Sequence, residues 1–124
     1  MRAPSHTIRI KKHAPHGLIF DVLDPHGALL ARSAPYSSIC KLEAALDVLR
    51  VAAASAESPS VEFKSDFTWL KPRGRRSRVA LAGSLPSDHI AYLLIGLRSA
   101  SVIDDRAPNE RRADTSGQLC DLAH

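Results

Sequence analysis

The stretch FDVLDPHG, Phe20 to Gly27, returns as FTWLKPRG, Phe67 to Gly74, with Phe, Leu, Pro and Gly at the same four places, 47 positions further on. After a short insertion, Leu30-Ala31-Arg32-Ser33-Ala34-Pro35 is answered by Leu81-Ala82-Gly83-Ser84-Leu85-Pro86, and later Ala45 to Arg50 lies over Leu93 to Arg98. A period of this size marks a duplicated supersecondary unit. Two copies make a pseudo-symmetric pair, whereas a solenoid needs more. The repeat therefore restricts the chain to folds in which two like halves complete each other.

Each half reads in the same order. Ile8 and Ile10, then Phe20 and Val22, alternate as half-buried strands do, and the PHG turn places Gly27 where positive φ is needed. Ala28 to Arg32 forms the return arm. Ser37 or Ser38 then offers an N-cap, and Ile39, Leu42, Leu46 and Leu49 recur at helical spacing on one face. In the second half Val61 and Phe63, then Phe67 and Trp69, alternate, PRG turns, and Val79 to Gly83 returns. A helix begins near Ser87 with Ile90, Leu93, Leu94 and Leu97 as its stripe, widened by Tyr92 and Ile95. AAASAESPS links the halves.

Burial decides how the halves combine. Three short strands and one amphipathic helix cannot hide their apolar faces alone, whereas two such units can share a sheet and roof it with two helices. The expected fold is α+β: two tandem β-β-β-α repeats in one antiparallel sheet, both helices on one face, with Phe20, Phe67 and Trp69 packed beneath them. One domain is expected over residues 5–103, with repeats at 5–54 and 60–103. Residues 104–124 are polar and of mixed charge and are expected to be a disordered tail.

The stretch from Phe20 to Ser38, FDVLDPHGALLARSAPYSS, resembles the YegP family of small bacterial proteins. That repeat runs aromatic, alternation, Gly, strand and Ser, and then opens a helix with Tyr-Ser-Ser. The likeness continues through Leu46, Leu49 and Arg50. In the second half it retains Phe67, Gly74, Ser84 and Arg98, while Leu85-Pro86-Ser87-Asp88 replaces the Tyr-Ser-Ser opening. The resemblance implies the tandem β-β-β-α fold and no catalytic residues. Within the motif, Ser37 or Ser38 can accept from N–H groups at the helix start, and Tyr36 can staple the entry.

The formal charge of +4 is unevenly spread. KPRGRRSR puts Lys71, Arg73, Arg75, Arg76 and Arg78 on one turn with no acid among them. With Trp69 just upstream, this run is the candidate binding site, since stacking plus phosphate contact is how single-stranded nucleic acid is held. No apolar run is long enough to span a membrane, the start MRAPSHTIRIKK has no apolar stretch, and the default expectation is a cytosolic protein. Cys40 and Cys120 have no metal-site spacing and read as free thiols.

Candidate chemistry is sparse. His6, His13, His16 and His26 cluster in sequence, but Pro15 keeps HAPH out of a helix and no carboxylate or thiol completes a site, so they read as solvated loop histidines. Ser33, Ser37, Ser38 and Ser84 fall at turns and caps. Nucleophile elbows, phosphate loops and dinucleotide fingerprints are absent from the sequence. No catalytic residue, cofactor or metal is expected. The expected function is a small non-enzymatic binding protein with a protein partner, or a second copy of itself, meeting a sheet edge. The alternative is nucleic acid or another polyanion on loop 71–78.

Overall fold

The computed structural model describes residues 5–13 and 17–106. Its elements run β1 (Thr7–His13), β2 (Gly17–Leu23), β3 (Leu29–Arg32), α1 (Ile39–Ala54), β4 (Ser60–Lys64), β5 (Phe67–Lys71), β6 (Val79–Ala82), α2 (Ser87–Leu97) and β7 (Ser101–Asp104). The protein is α+β, and each half follows the expected β-β-β-α order before β7 is added.

The expected single antiparallel sheet is two sheets, one ordered β3-β2-β1-β7 and the other β4-β5-β6. They meet where β3 runs beside β6, but only one bridge, Ser33 to Leu81, joins them, backed by Ala34 N–H donating to the Ala80 carbonyl at 3.2 Å. The ladder stops because the next residue, Pro35, has no N–H to give. Tyr36 pairs instead with Leu18, each N–H donating to the other's carbonyl at 2.8 Å.

β7 was not foreseen, and it corrects the expected start of the tail. Ser101–Asp104 runs parallel to β1, from Thr7 opposite Ser101 to Ile10 opposite Asp104. Asp105 N–H then donates to the Ile10 carbonyl at 2.9 Å, and Arg106 closes on the Asp104 carboxylate at 2.6 Å. The rest of that expectation, residues 107–124, lies outside the described residues.

One hydrophobic cluster draws on both halves. Ile8, Ile10, Phe20 and Val22 meet Leu42, Leu46 and Leu49 of α1, Leu93 and Leu97 of α2, and Leu70, Val79 and Leu81 of the second sheet. Each fully buried aliphatic side chain contributes roughly 1.5–3 kcal/mol. α1 begins as its sequence dictates: the Ser38 hydroxyl accepts from Lys41 N–H at 3.3 Å, and Ile39, Leu42, Leu46 and Leu49 are buried. α2 starts at Ser87 behind Pro86 and buries Ile90, Leu93 and Leu97. Tyr92 and Ile95, expected to widen that stripe, are exposed.

The spelled repeat and the buried faces are out of step by one residue. In β2 Phe20 and Val22 are in the core, with Val22 opposite Ala31. In β5 the buried pair is Thr68 and Leu70, with Thr68 opposite Leu81, while Phe67 and Trp69 are half-buried. Successive strand residues point to opposite faces, so Phe67 and Trp69 do not share the face of Leu70. The expectation that they pack in the core beside Phe20 is corrected.

Buried hydroxyls stitch each half at the same place. The Ser33 hydroxyl accepts from Phe20 N–H and donates to the Ala34 carbonyl, both at 2.9 Å. In the second half Ser84 is exposed, and Thr68 takes this work: its hydroxyl donates to the Gly83 carbonyl at 2.6 Å and accepts from Leu85 N–H at 3.0 Å. Gly27 and Gly74 take φ of 87° and 77°, as both turns require. The β4–β5 hairpin turns through Ser65 and Asp66 at φ of 55° and 69°, left-handed conformations held by residues with side chains.

His6 is fully buried beside α2. Its backbone N–H donates to the Gly96 carbonyl at 3.1 Å, and its Nε2 lies 3.0 Å from the Tyr92 carbonyl, which it can reach only as a donor. The ring occupies the space where a side chain at position 96 would stand: a Cβ there would come within 2.1 Å of Nε2.

Candidate functional site

The basic loop is built by β5 and β6 and pinned by its own backbone. Pro72 is buried, its carbonyl accepts from Arg75 N–H at 3.2 Å, and Gly74 supplies the positive φ that lets the chain reverse. Arg73 is anchored, its Nε donating to the Ser58 carbonyl at 3.0 Å. Arg78 folds back over Trp69 with its guanidinium carbon 4.6 Å from the ring centroid, and comes within 4.0 Å of Glu62. Trp69 Nε1–H donates to the Lys64 carbonyl at 3.3 Å. Of the six residues expected to form the site, Trp69 and Arg78 are brought together. Lys71, Arg75 and Arg76 are exposed and make no ion pair among the described residues.

The Arg78–Glu62 pair is exposed on both sides and contributes under about 1 kcal/mol. Stacking on Trp69 adds about 0.5–1 kcal/mol, so Arg78 is held in place without being tied down. Beside it opens a groove of about 460 Å³ whose walls include Tyr36, Lys41, Val48, Trp69 and Arg78. Burial pushes the Tyr36 hydroxyl above its ordinary pKa, so it stays a neutral donor in this basic setting.

A second surface was missed by sequence reasoning. All five residues of β4 are exposed, including Val61 at 49% and Phe63 at 55%. Val61 stands opposite Leu70 and Phe63 opposite Thr68, and directly paired residues share a face. The alternation therefore gave the core side of β4 correctly. What it could not give is that β4 is the outer strand of its sheet, beyond the β5 and β6 positions on which α1 packs. Val102 and Ile103 are likewise exposed on β7, the outer strand of the other sheet.

Asp21 is a buried ion-pair centre. Arg32 donates to it through Nε at 2.7 Å and Nη2 at 3.1 Å, and Lys11 reaches it at 3.4 Å. Burial pushes the Asp21 carboxyl upward, but the bonds and charges of Arg32 and Lys11 outweigh it and hold the group below the ordinary carboxylate range.

The remaining candidates divide as follows. His13 and His26 are exposed and His6 is buried, while His16 lies outside the described residues. Among the described residues no group of three His, Cys, Asp or Glu side chains gathers to hold a metal. Cys40 is disulfide-bonded, which corrects its reading as a free thiol; the same reading of Cys120 falls outside the described residues. Disulfides persist in oxidising surroundings, so this bond lends no support to a cytosolic location. No helix among the described residues is long and apolar enough to cross a membrane.

Two β-β-β-α units share one core, with a closing strand against the first, and together they make one α+β fold. Two solved structures share this fold. The NMR structure of YegP from E. coli, a protein of unknown function, is 15% identical, with a TM-score of 0.58 over 82% of this chain and 93% of that one. The NMR structure of a UPF0339 protein from Shewanella oneidensis is 10% identical, with a TM-score of 0.60 over 85% of this chain and 97% of that one. No protein-family model matches the chain, and no curated protein matches it. The likeness to YegP read from Phe20 to Ser38 is thus met at the level of the fold.

Proposed function

We propose that the protein is a small non-enzymatic binding module that takes a protein partner as an extended segment along β4. One observation carries this reading: an outer strand whose core-facing side chains, Val61 and Phe63, are about half exposed. An outer strand presents unpaired N–H and C=O groups to an incoming strand, and pockets or apolar residues beside it select the side chains. Phe63 is the most exposed of the large hydrophobic residues described, and aromatic anchors dominate interface energies.

The test is affinity capture from an extract of the native host, using the wild-type chain and the Val61→Glu/Phe63→Glu variant. Both substitutions fall on exposed positions, so the fold should survive them. The wild type is expected to retain a protein at both low salt and about 0.5 M salt, where exposed charge interactions are screened, and the variant to retain none. Equal retention by both chains, or retention that nuclease abolishes, refutes the reading.

A second reading, single-stranded nucleic acid on loop 71–78, is favoured by a specific feature. Trp69 is half-buried rather than sealed in the core, and the Arg78 guanidinium lies across it while Lys71, Arg75 and Arg76 are exposed to solvent. A base can displace the Arg78 guanidinium from the ring and leave it to meet the phosphate. This reading requires affinity that falls steeply with added salt, and it is abandoned if single-stranded oligonucleotides fail to bind below roughly 100 μM at low salt.

A further inference from the structure

The C-terminal ends of the two helices frame an open cavity of about 680 Å³. Arg50 and Arg98 line it together with Ser55, Ala54, Leu97 and Ala100, and among the described residues no acidic side chain takes part. In the aligned halves of the sequence Arg50 and Arg98 are equivalent positions, one per repeat, and the fold brings both to the same cavity. Arg98 is fixed there, because its Nε donates to the Ala53 carbonyl at 2.9 Å across the helix pair. Its two Nη groups have no protein partner among the described residues, and Arg50 makes no ion pair among them.

The charge balance selects the ligand. Each helix C-terminus carries about −0.5 of an elementary charge, so two of them offset about one of the two guanidinium charges. A net charge near +1 suits a singly charged oxyanion better than a phosphate dianion. Apart from Ser55 the remaining walls are alanine and leucine, and the volume falls within the roughly 300–1,000 Å³ of small-molecule pockets. We propose that this cavity binds a small carboxylate with a short apolar body, its head gripped by Arg50 and Arg98 and its body laid against Ala54, Leu97 and Ala100. Guanidinium groups suit this head because their paired N–H groups match the two carboxylate oxygens. The site is separate from β4 and from loop 71–78 and does not depend on either reading of the partner.

The experiment is a titration of the full, ¹⁵N-labelled chain at constant ionic strength with hexanoate, acetate and hexanol, following backbone amide shifts. Hexanoate is expected to shift Ser55, Ala56, Leu97 and Ala100, half-saturating at a few millimolar, roughly the affinity of one charged head and a short chain at an open site. Acetate should bind at least about fivefold more weakly, since it lacks the buried methylenes. Hexanol should leave these amides in place. Arg50→Gln, which breaks no hydrogen bond or ion pair among the described residues, should weaken hexanoate by about tenfold, the effect of one charge-assisted contact. The proposal is overturned if hexanoate shifts nothing by roughly 50 mM, far above that affinity. It is equally overturned if hexanol shifts the same amides as strongly, or if Arg50→Gln binds hexanoate unchanged.

Discussion

Replacing Gly96 by alanine should reverse the usual effect of that substitution. In an ordinary helix interior Gly→Ala stabilises by about 1 kcal/mol. Here the new Cβ would stand 2.1, 2.2 and 2.4 Å from three atoms of the His6 ring. The ring is fully buried and cannot swing into solvent, and moving it sacrifices the 3.0 Å contact to the Tyr92 carbonyl. Overpacking of this kind costs about 1–3 kcal/mol and the lost hydrogen bond about 1 kcal/mol. Set against the helix gain, Gly96→Ala should destabilise the protein by about 2 kcal/mol, or ~8 °C in Tm. With His6→Ala in the background the obstruction is gone, and the same substitution should stabilise by about 1 kcal/mol, a coupling of about 3 kcal/mol. Urea unfolding followed by fluorescence of Trp69, the chain's one tryptophan, measures all four corners of the cycle. A stabilising Gly96→Ala in the otherwise wild-type chain, or the same change in both backgrounds, would refute the reasoning.

Other consequences can be measured on the same footing. Ser65→Asn with Asp66→Gly supplies the pair that a two-residue hairpin with two left-handed residues prefers, and should raise stability by about 1 kcal/mol in urea unfolding. Thr68→Val keeps the shape but orphans the Gly83 carbonyl and Leu85 N–H, and should cost about 2 kcal/mol in the same assay. Because the Asp21 carboxyl sits below its ordinary 3.8 in the folded protein, its contribution is complete above that value and is lost as pH falls beneath it. Thermal melts should therefore decline through this acid range in the wild type and decline less in Asp21→Asn. An identical acid slope in the two proteins would remove Asp21 from the account.

Features set by local chemistry were legible in the chain. The α1 helix could be read because its cap, Ser38, and its stripe from Ile39 to Leu49 are contiguous, and the turns at Gly27 and Gly74 because they demand positive φ. The face of β5 was misread for a physical reason. Matching letters placed Phe67 over Phe20, but hydrogen-bond pairing sets which side is buried, and Thr68, a residue whose hydroxyl finds two backbone partners, took the inner place. β7 was hidden because SVID is four residues long and its pairing with β1 lies far away in sequence. The basic loop was legible as a charge run, whereas the meeting of Arg50 with Arg98 and the bareness of Val61 and Phe63 depend on which strand ends up outermost and where two helices stop.

The pairing of Thr7 with Ser101 has a bearing on biosynthesis. A ribosome must release nearly the whole described chain before the border of the first sheet can be laid down, so a nascent chain paused after α1 would carry a raw β1 flank into a crowded cell. Contacts this distant in sequence form late, which makes the interval before Ser101–Asp104 arrives the period in which this protein is most prone to stick to its neighbours.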